Sequence, residues 1–226
     1  MNVNQVMEES RFTRFHFQVL LIGFLLIVFD GYDLAILGAV IPVLLEQWSI
    51  SPIQASAINT YTVIGMLAGA VLFGTLADKF GKKKVIVLCV LLYSIFTPLA
   101  VVSSGVTDFS IYRFIAGLGM GGIMPTMLAL MIEYSPKTQK SLLTTLMFCG
   151  MPAGAMLSAI AGIILIPAFG WKMMFIVGGI PLLLIPFIIK SLPESMAYML
   201  SRKQKNSAIQ VLNRIQNERN FLPDDQ

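Results

Sequence analysis

Long apolar runs, separated by short polar connections, form the pattern along this chain. Six of them can be delimited, and they contain few charged residues: 17–45, 55–77, 85–102, 111–131, 142–169 and 171–189. An α-helix of about 20 residues, rising 1.5 Å per residue, crosses the ~30 Å hydrocarbon core of a bilayer. Each run is therefore predicted to be a membrane-spanning helix, and the first and fifth are long enough to tilt.

Composition excludes an ordinary water-soluble domain. Hydrophobic residues make up 56% of the 226 positions and charged residues only 12%, whereas a soluble domain carries about 25% charged residues. A soluble fold with this composition would expose too much apolar surface to water. The predicted fold class is an all-α membrane protein embedded in the lipid bilayer.

Basic residues mark the connections that are predicted to face the cytoplasm. Nearly all of the 16 lysines and arginines precede the first run, follow the sixth, or lie between runs 2 and 3 and between runs 4 and 5. The opposite connections contain a single one, Lys172. Because basic residues in short loops resist translocation, both termini are predicted to be cytoplasmic, in the cell (inner) membrane. The net charge of +4 follows from this topology and does not indicate a nucleic-acid partner.

The segment after the sixth run is predicted to form a helix on the membrane surface. Pro193, Glu194 and Ser195 are typical of a helix start. Apolar residues at helical spacing, interleaved with Arg and Lys, then indicate an amphipathic cytoplasmic helix: Ala208, Val211, Leu212 and Ile215. The chain thus divides into a cytoplasmic segment 1–16, a six-helix domain 17–190, and an amphipathic helix and tail 191–226.

Four consecutive residues of the first run, Asp30, Gly31, Tyr32 and Asp33, carry the strongest chemical signal. Each acidic residue at mid-bilayer costs about 2.5 to 3.5 kcal/mol on insertion scales. Residues at i and i+3 share one helix face, and two carboxylates in a dry site cannot both ionise cheaply. One of the two aspartates is therefore expected to bind and release a proton. The alternative is that one or both only hydrogen-bond to neighbouring helices.

Two further charged residues lie at the ends of the fourth run. Arg113 precedes a close-packing face of glycines, namely Gly117, Gly119, Gly121 and Gly122. An arginine at this depth indicates a functional role, although its side chain could instead extend to the interface. Glu133 is either an interfacial charge or a second proton-linked group.

No metal or cofactor site is indicated by the remaining polar residues. Cys89 and Cys149 fall inside predicted spans, where cysteine is usually a small apolar side chain. His16, the single histidine, lies at the membrane edge and is interpreted as an interfacial residue. Because neither a nucleophile pair nor a nucleotide-binding loop is apparent, an enzyme is not expected.

The segment joining runs 2 and 3 contains a family signature. It consists of a glycine, an aspartate four residues later, and a glycine followed by two basic residues: Gly74, Asp78, Gly81, Lys82 and Lys83. This pattern resembles the loop signature of the major facilitator superfamily. The resemblance implies the amino-terminal half-bundle of such a transporter, in which Asp78 helps to lock the outward-facing state by contacting the other half.

The first run also resembles the first helix of the aromatic acid:proton symporters, through residues 30–33 followed by Gly38 and Pro42. This resemblance implies import of benzoate, hydroxybenzoates or related acids with protons. Asp30 or Asp33 would take the proton, the aspartate pair and Tyr32 would help to shape the substrate site, and Arg113 would attract the anion. Nicotinate and muconate carriers share a similar helix. In the fifth run, Gly150, Pro152 and Gly154 resemble a degraded form of the antiporter motif of the major facilitator superfamily. The degraded motif favours symport.

Complete transporters of this type have roughly twelve helices arranged as two halves, whereas six are predicted here. Three explanations stay open: an inactive truncated or split product, which we favour, a half that pairs with a separately encoded half, or a homodimer. A non-transporting membrane protein is the rival function.

Overall fold

The structure, a computed structural model, describes residues 12–202. Six helical segments in this range are long and apolar enough to cross a membrane, and we number them spans 1 to 6: Arg14–Gln47, Pro52–Phe80, Lys82–Val102, Val106–Tyr134, Lys140–Phe169 and Lys172–Ser191. No strand occurs in the described range. The predicted all-α membrane fold with six spans is therefore confirmed, whereas the amphipathic segment predicted at 208–215 lies outside the described residues.

Within residues 12–202, nine α-helices build these spans and the segment that follows them. They are α1 Arg14–Gln47, α2 Pro52–Phe80, α3 Lys82–Leu99, α4 Val106–Tyr134, α5 Lys140–Phe148, α6 Gly150–Phe169, α7 Lys172–Val177, α8 Ile185–Ser191 and α9 Met196–Ser201. Short 3₁₀ turns, Ala100–Val102 and Ile180–Leu184, complete spans 3 and 6. The predicted helix start after span 6 is confirmed, since Ser195 caps α9 by accepting a hydrogen bond from the Tyr198 N–H.

Spans 5 and 6 are interrupted, which the apolar runs did not reveal. Span 5 breaks between α5 and α6 at Cys149, because Pro152 has no N–H to donate to the carbonyl four residues earlier. Span 6 breaks at Gly178 and Gly179, just before Pro181. Glycine and proline weaken an α-helix for different reasons, and together they allow the 3₁₀ turn.

The connection between spans 2 and 3 is shorter than the sequence suggested. Gly74 and Asp78 lie within α2, which continues to Phe80, and α3 begins at Lys82. Gly81 alone forms the turn, with φ at 101°. This backbone conformation is costly for residues with a Cβ, which explains why glycine occupies the position.

His16 lies near the start of α1. It is fully buried within the protein, and its Nδ1 accepts a hydrogen bond of 3.1 Å from the Thr13 N–H. The ring thus caps the start of α1, where backbone N–H groups otherwise lack partners. Its neighbour Phe15 contacts Tyr134 edge to face, with ring centroids 5.3 Å apart. The interfacial position of His16 in the membrane stays a prediction.

Glycines set the closest helix contacts, as expected for membrane helices that associate by packing rather than by a hydrophobic driving force. A Cβ on Gly117 or Gly121 would overlap carbonyl oxygens of α2, which confirms the close-packing face predicted for span 4. Likewise, a Cβ on Gly154 would overlap the carbonyl oxygen of Val28. Spans 1 and 5 therefore touch backbone to backbone.

A methyl group at this contact should be poorly tolerated. Gly154→Ala should force α1 and α6 apart and lower the free energy of unfolding by about 1–3 kcal/mol, the usual cost of overpacking. Gly38→Ala is the matched control, because nothing lies within 4 Å of a Cβ built there. Thermal unfolding in detergent measures both, and equal midpoints for the two variants would show that the contact is not tight.

Candidate functional site

The charged residues predicted in spans 1 and 4 lie in one layer between two apolar clusters. Along α1, Ile27 belongs to one cluster and Ile36 to the other, and both aspartates lie between them. Along α4, Ala116 and Phe109 belong to those same two clusters, with Arg113 between them. We call this central polar layer, formed by Asp30, Asp33, Thr97 and Arg113, the midspan layer.

An ion pair joins spans 1 and 4 in the midspan layer. Arg113 Nη1 donates to Asp33 Oδ2 at 2.7 Å, and both side chains are 0% exposed. The Arg113 guanidinium carbon also lies 5.8 Å from the ring centre of Phe175 in span 6. Arg113 therefore points into the bundle and does not extend to the membrane interface.

Several polar atoms around this ion pair have no hydrogen-bond partner within residues 12–202. They are both carboxylate oxygens of Asp30, Asp33 Oδ1, Arg113 Nε and Nη2, and Thr97 Oγ1. Each unsatisfied buried polar group costs about 1–3 kcal/mol. Such a concentration is typical of a functional site, because a purely structural network would satisfy its own groups.

Tyr32 serves the packing of the bundle. Its hydroxyl donates to the backbone carbonyl of Met174 at 3.2 Å, and the side chain is buried. This bond ties span 1 to span 6 just beside the midspan layer. The substrate contact expected of Tyr32 stays a prediction.

Sequence reasoning missed the residues that spans 3 and 6 contribute. Tyr93 is buried and close enough to both aspartates to interact with them electrostatically. A Cβ on Gly178 would lie 2.8 Å from Thr97 Cγ2 and 3.5 Å from Asp33 Oδ1. Hydroxyl residues in membrane helices give little signal, because most bond to their own helix, as Thr62 and Thr126 do here.

A second polar cluster joins the ends of spans 2, 3, 4 and 6, and we call it the Glu133 cluster after its central residue. Glu133 accepts from Lys82 Nζ at 2.8 Å, from Ser195 Oγ at 2.9 Å and from the Ala197 N–H at 2.8 Å. These bonds favour the interpretation of Glu133 as a paired charge at a helix end. The alternative, that Glu133 is a second proton-linked group, stays a prediction.

Glu194 completes the Glu133 cluster beside the turn at Gly81. Its carboxylate accepts from the backbone N–H of Lys83 at 3.1 Å, and its carbonyl accepts from the Tyr134 hydroxyl. A Cβ on Gly81 would lie 2.6 Å from Glu194 Oε2. The signature residues Gly81, Lys82 and Lys83 therefore hold this end of the bundle together, whereas Asp78 is exposed on α2.

The described residues contain no group of three or more His, Cys, Asp or Glu side chains that could hold a metal ion. Cys89 and Cys149 are both free thiols, the first buried and the second exposed. The chemistry of the midspan layer is thus that of carboxylates, a guanidinium and hydroxyls.

A buried acid–base layer inside six spans is characteristic of a carrier, and comparison with known families agrees. Residues 23–217 match the family model of the Major Facilitator Superfamily. The chain belongs to this superfamily. Its members are membrane transporters rather than enzymes, and the six spans are the amino-terminal half-bundle of their fold.

Several curated members of the superfamily are similar in sequence. The benzoate transport protein of Acinetobacter baylyi is 43% identical, over 99% of this chain and 49% of its own length. The 4-hydroxybenzoate transporter PcaK of Pseudomonas putida is 34% identical, over 92% and 47%. The niacin transporter NiaP of Acinetobacter baylyi is 32% identical, over 90% and 46%. The chain spans about half the length of the curated relatives it matches.

Solved structures show the same fold. The proton:xylose symporter XylE, bound to a bromodeoxyglucose, superposes with a TM-score of 0.79 at 21% identity, covering 89% of this chain and 50% of that one. The inward-open form of the xylose transporter XylE from E. coli gives a TM-score of 0.73 at 19% identity, covering 92% and 57%. At this level of identity the likeness concerns the fold alone.

The ion pair of this superfamily member can be tested by a double-mutant cycle. Asp33→Asn leaves the Arg113 charge buried without a counter-ion, which should cost about 3–5 kcal/mol in the free energy of unfolding. Adding Arg113→Gln removes that charge and should restore much of the loss. Thermal unfolding of both single variants and the double variant measures the coupling, and strictly additive losses would contradict a direct pair.

The Glu133 cluster gives a separate test. Glu133→Ala removes the ion pair with Lys82 and leaves the Ser195 hydroxyl and the Ala197 N–H without this acceptor. The free energy of unfolding should fall by about 1–3 kcal/mol, because hydrogen bonds to a partly buried charge are lost. Glu46→Ala is the matched control, since Glu46 is exposed at the other end of α1. Indistinguishable melting curves for the two variants would rule out a stabilising role.

Proposed function

We propose that this chain is half of a proton-coupled symporter for a small organic anion. The proposed substrate is an aromatic carboxylate such as benzoate or hydroxybenzoate. The observation that carries the proposal is the midspan layer, where two aspartates and an arginine are fully buried in the middle of the bundle. The names of the benzoate and 4-hydroxybenzoate relatives support the substrate class.

The chemistry of the layer favours symport. In this proposal Asp30 and Asp33 form the proton-binding pair, and Arg113 Nε and Nη2, which Asp33 does not occupy, attract the carboxylate of the substrate. A bound proton removes negative charge from the layer. Because an incoming anion is repelled less by the protonated layer, proton and anion stabilise each other and move together.

The signature residues are proposed to control the change between transport states. Gly74, Asp78, Gly81, Lys82 and Lys83 would form the conformational switch, with the exposed Asp78 free to contact a second half. By the distribution of basic residues, this end and both termini would face the cytoplasm. The second half would come from a separate chain or from another copy of this one.

Other solutes are alternatives within the same proposal. The niacin relative supports a nicotinate carrier, because nicotinate is also a ring carboxylate. Muconate would offer carboxylates without an aromatic ring. A sugar-like metabolite has no carboxylate for Arg113, and the likeness to a xylose carrier concerns only the fold.

A non-transporting half is the second candidate, and the exposed apolar faces are compatible with it. Spans 2 and 5 carry large exposed side chains, including Leu67, Val71, Met156 and Ile163. In lipid these faces are stable, but in a carrier of two halves part of them would be covered. A remnant or a regulatory partner of another membrane protein would leave them available.

Vesicles that contain this chain alone decide between the two candidates. With an inward proton gradient imposed, labelled benzoate should accumulate, and collapse of the gradient should release it. Asp33→Asn should abolish this uptake while still inserting into the membrane, because the layer loses its acidic pair. Asp108→Asn, which changes an exposed aspartate at the start of α4, should behave like the unmodified chain.

The possible results separate cleanly. Full uptake by Asp33→Asn would refute the role of the aspartate pair. If the unmodified chain does not accumulate benzoate at any imposed gradient, transport by two copies of this chain is refuted, and uptake must then be measured with a second half from a separate chain; inactivity there as well supports the non-transporting half.

A further inference from the structure

Two cations share one aromatic ring at the end of the bundle where Gly81 forms its turn. Lys84 Nζ, at the start of α3, lies 5.8 Å from the centre of the Tyr198 ring. The Arg202 guanidinium carbon lies 5.9 Å from the same centre. Tyr198 belongs to α9, and Arg202 follows that helix directly. We call these three residues the Tyr198 cluster, which brings charges from span 3 and from the segment after span 6 onto one small patch.

Carboxylates of the described residues do not neutralise the Tyr198 cluster. The two ion pairs found among residues 12–202 include neither Lys84 nor Arg202. Glu194, the acidic residue just before α9, accepts from backbone N–H groups instead. The sequence after Arg202 continues with two lysines within three residues and contains no acidic residue before Glu218. Because like charges held close together repel each other, the patch is complementary to an anion from outside the chain.

The Tyr198 cluster lies at the depth of the lipid headgroups. Span 3 has 21 residues, which corresponds to about 31 Å at 1.5 Å per residue and nearly equals the ~30 Å hydrocarbon core. Its first turn, which contains Lys84, therefore lies at the boundary of that core. Tyrosine is enriched at this boundary, and a lysine or arginine there extends its charge toward the headgroups.

Exposed apolar side chains beside the cluster favour a lipid over a soluble anion. Leu200 lies between Tyr198 and Arg202 in the chain and is 47% exposed. Phe80, at the end of α2, is 48% exposed, and α9 packs against α2. A phospholipid covers such side chains with its acyl chains while its phosphate meets the cations. A soluble polyanion would leave them in water.

We propose that the Tyr198 cluster binds the phosphate of an anionic phospholipid, such as phosphatidylglycerol, from the leaflet at this end of the bundle. The phosphate lies between Lys84 and Arg202 and accepts charge-assisted hydrogen bonds from both. Because the two cations belong to different segments, the lipid ties α9 to span 3 and holds the segment after span 6 against the membrane. This site depends neither on the proton-binding pair nor on the substrate of the proposed function.

Native mass spectrometry of the full chain tests the site, because it resolves single lipids bound to a membrane protein in neutral detergent. The unmodified chain should bind a first phosphatidylglycerol more tightly than a first phosphatidylcholine, whose choline neutralises its phosphate. Lys84→Gln/Arg202→Gln should lower the association constant for phosphatidylglycerol by about fivefold for each charge removed. Both residues are exposed, so the fold should not change.

The matched control removes two charges from the same end of the bundle but outside the cluster. Lys79→Gln/Lys137→Gln changes two exposed lysines and should bind phosphatidylglycerol as the unmodified chain does. Lys84→Arg keeps the charge and should keep the binding. Circular dichroism verifies the helix content of every variant.

Loss of phosphatidylglycerol binding confined to Lys84→Gln/Arg202→Gln, with the helix content unchanged, supports the proposal. Equal losses in the two double variants would reduce the effect to net charge and overturn it. Equal affinities of the unmodified chain for the two lipids would also overturn it. Inorganic phosphate, offered in place of lipid, should give no adduct that depends on the cluster; an adduct that Lys84→Gln/Arg202→Gln loses would assign the site to a free anion and refute the lipid.

Discussion

The charge of one arginine constrains the middle of this bundle. A guanidinium cannot be deprotonated at any physiological pH, so Arg113 must be charged wherever the fold places it. Full burial of that charge requires a counter-ion at contact distance, and Asp33 supplies it. Spans 1 and 4 are consequently held at one relative height, since a shift of a single turn would separate the two side chains.

Close packing makes this constraint possible. Helices in lipid gain little from excluding water, and they associate through van der Waals contact and polar groups. At Gly154 and Gly31 the backbones of spans 1 and 5 meet directly, beside the aspartates. Apolar clusters lie on both sides of the midspan layer. Water is therefore excluded from the ion pair from above, from below and from the side.

The sequence was sufficient for features that depend on local composition or on helical spacing. The apolar runs predicted all six spans, and residues 30–33 and Arg113 were identified because charge is rare in such runs. The choice of Asp33 rather than Asp30 as the partner of Arg113 could not be predicted. Residues at i and i+3 share a face, and only the relative rotation and height of α1 and α4 decide between them. The contribution of Thr97 also depends on how the helices are placed relative to one another, so the sequence did not predict it. The same is true of the bond between Glu133 and Ser195, which are 62 residues apart in the chain.

Span 4 links the midspan layer with the Glu133 cluster. Arg113 and Glu133 lie 20 residues apart on one continuous helix, α4, which corresponds to about 30 Å at 1.5 Å per residue. Because both ends of this distance are tied by charged contacts to other spans, the six helices resist internal rearrangement and favour movement as a unit. Spans 2 and 5 take part in neither of the two ion pairs found among residues 12–202. In the proposed symporter, a proton would need only a local opening to reach the midspan layer, whereas a ring acid would need the larger movement between halves. That difference in size would be a physical reason for the proposed separation of proton binding, inside a half, from substrate passage at its surface.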